Sequence, residues 1–389
     1  MNRPLLLLFL LSFTYFVNAQ RLTVNLSDQY NINPLYKKDL LIRTLDSFFT
    51  YGWDEQRCGK YWDRDDLKLF GYPFDLGTYG YNGKGVSFLT PVFLGAIDVM
   101  PQQKYLVKMA FLPAADSLKG NMGWVLNLIA NYHKGNDAFT FERYTNYFIR
   151  DWYKQKIGSI LFYKESKDAF DLQQATACNR YNDSIATFFK VPPKKIIYYS
   201  CKDPVQMFNL MGYDFRYEMF LSRTGGMRIG NGLYSARNAE YYPHEIAHFY
   251  IPELEGSSAA CTIASEGIAT YFGGSDPKSF KETVRSLYRY LLKYPDIPVD
   301  DLLFKDVRTD DDVSRLYATG GILAKLIYEK NGLEGWKRFL ALPCSKMKDG
   351  LPSLTGINKD LKQVIVEAAK KLSEGGTDHT GGALHLVSP

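Results

Sequence analysis

His244-Glu245-Ile246-Ala247-His248 contains two of the five histidines in the chain. Four residues of α-helix advance about 400°, so the two imidazoles lie about 40° apart on one face and one turn apart along the axis. That spacing lets both meet a single tetrahedral ion. Glu245 is turned about 100° from His244, so it does not share the ligand geometry but can reach a water on that ion. The chemistry this pattern serves is zinc-dependent hydrolysis, by a zinc-activated water with Glu245 as general base. The alternative is an exposed polar helix with incidental histidines. Ile246, Ala247, Phe249 and Tyr250 argue against it, because they imply a buried helix whose polar side chains need partners.

A catalytic zinc commonly takes three protein ligands and leaves one position open. A further histidine soon after His248, which would make a metzincin extension, is absent: Ile251 and Leu254 hold the places of its glycine and histidine. Glu253 and Glu255 are near in sequence but lie just past Pro252, where the chain turns away. Glu266 is better placed, in a second helix expected from Ser257 or Ser258 to Phe272, which a helix–turn–helix pair would bring against the first. Gly273-Gly274 supplies the stop signal of that helix.

Ser265-Glu266-Gly267-Ile268-Ala269 and the preceding motif together resemble the gluzincin branch of zinc peptidases, which includes thermolysin and the aminopeptidase N group, and more broadly the peptidase-MA-like families. There the third ligand is a glutamate in an Asn-Glu-Gly-x-Ala motif, with Ser265 standing here for the asparagine. The gap from His248 to Glu266 is 18 positions, about one short of the commonest aminopeptidase spacing. The resemblance implies one Zn2+ ion on His244, His248 and Glu266, with Glu245 as catalytic base. It also implies a later tyrosine that donates to the transition-state oxyanion. Tyr317, before Gly320-Gly321, resembles that residue, and the glycines would permit close helix approach; Tyr328 is its rival. A strand over Gly226–Arg237 would be the edge that pairs with substrate backbone. The aminopeptidase signature Gly-x-Met-Glu-Asn is absent, since Gly225-Gly226-Met227-Arg228-Ile229 has no glutamate to hold a free amino terminus. An endopeptidase is therefore expected rather than an aminopeptidase. The resemblance covers roughly Lys195 to Leu372.

The elements that must position these residues read as α+β. Residues 20–165 are expected to form an N-terminal α+β domain, with a helix over Tyr36–Tyr51. Its strands are expected over Val86–Val99, Lys104–Leu112, Phe139–Tyr147 and Ile157–Tyr163, in a cystatin-like arrangement. Residues 166–373 are expected to form the gluzincin-like catalytic domain: a mixed sheet with an edge strand, the motif helix, then a mostly helical part. Its elements are expected to be a helix over Asp168–Phe189, a strand over Lys195–Ser200, and helices at Phe280–Tyr294, Val313–Lys330, Leu333–Leu342 and Asp360–Leu372. A flexible tail follows over residues 374–389.

A length of 389 residues exceeds one typical core. Charged residues make up 23% with a net +5 and no long basic run, so nucleic acid is not an expected partner. Arg3, the apolar run Leu5–Phe16 and Val17-Asn18-Ala19 read as a signal peptide cleaved after Ala19, which implies a secreted or periplasmic protein. No membrane span is expected in the mature chain. Export permits disulfides among Cys58, Cys178, Cys201, Cys261 and Cys344, and the odd number leaves at least one unpaired. His133, His379 and His385 are expected at the surface or in the tail. The expected partner is a peptide or protein substrate; oligomeric state is not readable. Three other readings stay open: a non-catalytic binding protein that keeps a zinc-peptidase fold, a zinc hydrolase of a non-peptide amide, and a structural zinc module.

Overall fold

The structure is a computed structural model. It describes residues 24–26, 35–50, 55–71, 89–113, 123–254, 261–275, 277–356 and 360–374. The expected signal peptide, the tail beyond Glu374, and Glu255, Ser257, Ser258, His379 and His385 lie outside the described residues. The chain is α+β and divides into two compact units. One comprises the described residues up to Leu67 and on to Arg143; the other comprises Lys68–Gly71 and the residues from Tyr144 on.

In the first unit, helix Lys38–Thr50 has no interior Gly or Pro and buries Leu41, Thr44, Leu45, Phe48 and Phe49. This is the face that helical periodicity dictates. It packs on an antiparallel meander of Leu89–Met100, Lys104–Pro113, Trp124–His133 and Ala138–Arg143. Asn25–Leu26 adds a parallel edge to the first of these strands. Phe48 lies 5.6 Å from Phe141 and Phe49 5.4 Å from Phe111, ring centre to ring centre. The strand Trp124–His133 was not expected from sequence. Its residues 126–130 are all buried, so no period-two alternation marks it. The expected strand Phe139–Tyr147 ends at Arg143, and Thr145–Phe148 forms a helical turn. Exposed His133 bonds the Thr140 hydroxyl at 2.8 Å.

The second unit holds a five-stranded mixed sheet in the order Gly226–Ile229, Gly232–Ser235, Ile196–Ser200, Ile160–Lys164, Tyr153–Ile157. Its two inner pairings are parallel and its two outer pairings antiparallel. The strands at 153–157 and 160–164, grouped with the N-terminal domain on sequence, thus belong to this sheet. Ile160–Lys164 pairs with Ile196–Ser200 across the crossover helix Leu172–Phe189, a non-local parallel contact that local patterning does not reveal. The single strand expected over 226–237 is a hairpin that turns at Gly230, whose φ of +54° suits glycine. Gly226–Ile229 is the sheet's edge.

Helices follow. Thr262–Gly273 carries Glu266. Phe280–Lys293 opens on a capping box of Ser279 and Glu282. Arg315–Ala341 breaks at Gly332, where φ is +60°, between the two helices expected on either side. Leu361–Glu374 ends the described chain. Among the described residues no helix is long and apolar enough to cross a membrane. Cys261, at the N-cap of the glutamate helix, is joined to Cys344 by a disulfide across 83 positions; Cys58, Cys178 and Cys201 are buried thiols.

Closing so long a loop removes unfolded-state entropy, so Cys344→Ser should cost roughly 2–4 kcal/mol. Urea unfolding of wild type and variant without reductant measures this. Coincident midpoints would show that the bridge contributes nothing to stability.

Candidate metal centre

The residues before the motif are fixed by a buried polar network. Lys164 Nζ lies 3.1 Å from Glu240 Oε1, 3.0 Å from Ser200 Oγ and 2.9 Å from Asn238 Oδ1. The Ser200 hydroxyl donates to Glu240, whose second oxygen accepts the Asp171 amide at 3.2 Å. Breaking a buried pair of this kind leaves an uncompensated charge, so the network holds the loop that delivers the motif. Helix Pro243–Ala247 then begins with proline in its first turn, where the missing N–H costs nothing. After Ala247 the bonds tighten to i→i+3, from Phe249 to Ile246 and from Tyr250 to Ala247. The helix therefore stops before Pro252, which lies in a separate 3-10 turn, Ile251–Leu254. Tyr250 anchors this segment: its hydroxyl donates to Asn182 Oδ1 at 2.6 Å and accepts the Lys194 amide at 3.0 Å.

His244 and His248 project to one side with ring centres 5.0 Å apart and Nε2 atoms 3.3 Å apart. Glu266 joins them. Its Oε2 is 3.2 Å from Nε2 of His244 and 3.5 Å from Nε2 of His248. Tetrahedral zinc with ligands at about 2.0–2.1 Å has ligand-to-ligand edges of about 3.3 Å, so this triangle has the size a zinc ion requires. Nδ1 of His244 donates to the Gly274 carbonyl at 2.8 Å. A carbonyl only accepts, so in the neutral ring Nε2 presents its lone pair to the centre. This is the outer bond that metal-binding histidines need. The Glu245 carboxylate also comes within 4.8 Å of both imidazoles. The near-equal and shorter distances fit Glu266 better than Glu245 to complete the triangle, and Glu245 stands one step back. Glu253 is excluded, since its carboxylate pairs with Lys194.

The glutamate helix reaches the motif through close backbone contact. A Cβ on Gly267 would lie 2.5 Å from the Gly320 backbone, and one on Gly320 would lie 2.8 Å from Gly267 Cα. Glycine at both places lets helices Thr262–Gly273 and Arg315–Ala341 touch, and brings Tyr317 to the site. The Tyr317 and His244 rings are 5.8 Å apart and nearly parallel, at 4°. Ser314, the N-cap of the tyrosine helix, accepts the Tyr317 amide at 3.1 Å. Tyr328 is elsewhere, in an aromatic cluster with Phe188 and Trp336. The edge strand closes the other side: a Cβ on Gly226 would meet the Tyr242 ring at 2.5 Å and Glu245 Cγ at 3.1 Å. Between them lies a cleft of about 520 Å³, lined by Gly226, Arg228, His244, Glu245, His248, Glu266 and Tyr317.

The charges in this cleft are coupled. Burial opposes ionisation of Glu266, but hydrogen bonds and charge from His244 and His248 outweigh it and hold the carboxyl far below its ordinary range. Burial likewise opposes protonation of His248. The hydrogen bond to Glu266 and the charges of Glu266 and Glu245 prevail, and its pKa is raised above 6.5. Burial first, and then the Glu266 carboxylate, push the Tyr317 phenol far above its ordinary value, so it remains a neutral donor.

No protein-family model matches the chain, and a search of curated proteins finds no match. The site is therefore read from its own geometry. It unites all five residues singled out by sequence: His244, Glu245, His248, Glu266 and Tyr317. Two contributors were not anticipated. The Gly274 carbonyl carries no side-chain signal at all. Arg228 sits on the expected edge strand, where its charge, opposite to that of the absent glutamate, was the available clue.

A metal must displace the His248 proton. Its affinity should fall about tenfold per pH unit below the raised pKa and level off above it. The His248 contribution to metal-free stability has the opposite slope. The raised histidine contributes fully below 6.5 and its contribution is lost as pH rises through the folded value. The depressed Glu266 contributes above 4.5, and its share is lost as pH falls through its own folded value. Chelator competition between about pH 5 and 8 tests the affinity; a pH-independent affinity would remove His248 from the ligand set.

Proposed function

We propose that the second unit is a zinc-dependent peptidase of the gluzincin type, an endopeptidase acting on peptide or protein substrates. The observation that carries this reading is the triangle of His244 Nε2, His248 Nε2 and Glu266 Oε2, with sides of 3.2–3.5 Å, on a cleft bordered by a free sheet edge. When bound there, zinc supplies a Lewis acid that activates water and polarises a carbonyl.

The protein's own groups supply the rest. Glu245 takes the proton of the attacking water and passes it to the leaving amine. Tyr317 donates its phenolic proton in a hydrogen bond to the oxyanion as it develops. His244 is held in the required tautomer by Gly274. Gly226–Ile229 offers backbone donors and acceptors to an extended peptide, and the absence of a side chain at Gly226 lets this strand lie close against Glu245. The edge strand carries no carboxylate to hold a free amino terminus, which favours cleavage within chains. The Cys261–Cys344 disulfide and the signal-like N-terminal sequence support an exported protein.

Glu245→Gln should retain metal and lose about 10²–10⁴-fold in turnover of a peptide library followed by mass spectrometry. Tyr317→Phe should retain metal and lose on the order of 10²-fold in kcat. Undiminished turnover in Glu245→Gln would refute the mechanism.

A further inference from the structure

Arg228 has no part in the chemistry above, yet it is placed to choose the substrate. Residues two apart on a strand share a face, so Arg228 lies on the same face as Gly226, whose missing Cβ points at Tyr242 and Glu245. Its guanidinium is fixed beside the metal ligands: Nη1 donates to the His248 carbonyl at 2.9 Å, and Nε donates to the Gly230 carbonyl at 3.1 Å. The Phe249 ring lies beneath it, 4.9 Å from the guanidinium carbon. These contacts use two of the five N–H donors and leave three, on the two Nη atoms.

Among the described residues no carboxylate pairs with Arg228. The two carboxylates lining the cleft, Glu245 and Glu266, belong to the centre itself. Arg308, the other cation lining the cleft, is paired with Asp312. An exposed cation that is held by two backbone carbonyls and an aromatic ring, and left without a counter-ion on the lining of a cleft, is matched by a planar anion that accepts two parallel hydrogen bonds.

We propose that Arg228 is a specificity-determining residue that binds a substrate carboxylate close to the scissile bond, so that the cleft prefers acidic peptides. This rests on the peptidase reading of the same site. Two sources share that chemistry: the side chain of an internal Asp or Glu, and the carboxylate at a peptide's C-terminus. Arg228 is the third of the four residues of the edge strand, with Ile229 between it and the turn at Gly230.

The test measures binding apart from turnover, on zinc-loaded Glu245→Gln protein by calorimetry. Four matched peptides are compared, with Glu or Gln at one internal position and a free or amidated C-terminus. At least tenfold tighter binding of the internal-Glu peptides whatever their ends assigns the side-chain source; tighter binding of only the free-ended peptides assigns the terminal source. Adding Arg228→Gln should erase that preference, Arg228→Lys should keep part of it, and Arg228→Glu should reverse it, with zinc content unchanged. Equal binding of all four peptides without any change at Arg228 overturns the proposal, and so does a preference that survives Arg228→Gln. The peptidase reading is judged separately, by whether wild type cleaves any of the four.

Discussion

Three hydrogen-bond acceptors pointed at one spot repel each other unless positive charge lies between them. Nε2 of His244, Nε2 of His248 and Oε2 of Glu266 come to that position when both rings are neutral with their proton on Nδ1, for all three lie within 3.5 Å of one another. A single proton can bridge one pair of them, whereas a dication at the centre meets all three. The surrounding structure holds the triangle closed against this repulsion. The Gly274 carbonyl fixes the His244 tautomer, and the Lys164–Glu240 network secures the approach to the motif helix.

The same constraint explains the glycines around the centre. Glu266 reaches the histidines only because its helix can press against its neighbours. Gly267 meets Gly320 on one side, and Gly273 approaches the His244 backbone so closely that a Cβ there would lie 2.1 Å from the His244 nitrogen. Small residues thus set the ligand spacing as surely as the ligands do. The contact that seats Glu266 also sets Tyr317 parallel to His244, so the triangle and the tyrosine beside it share one packing event.

The site was more legible in the sequence than the fold that carries it. The spacing of His244 and His248 is a local property of one helical turn, and Glu266 could be reached by asking which later helix would fold back. The elements that misled depend on distant partners. Trp124–His133 is buried along consecutive residues and shows no alternation. Ile160–Lys164 shows a strand pattern but not the parallel partner across a helix. The hairpin at Gly230 read as one strand although Gly230-Asn231-Gly232 between Ile229 and Leu233 is a turn signal. The early end of the motif helix arises from tightened bonds that the residue types do not announce. Glu253 is nearer the histidines in sequence, but the structure turns its carboxylate to Lys194 and brings that of Glu266 to the two imidazoles.

His244, His248 and Glu266 are proposed to hold one metal ion together. Elemental analysis of the purified protein beside Glu266→Ala tests this most directly, with circular dichroism to show that both are folded. One zinc per wild-type chain, lost from the folded variant, is the result the geometry predicts. Zinc retained in full by the variant, or absent from folded wild type after incubation with the metal, would contradict it.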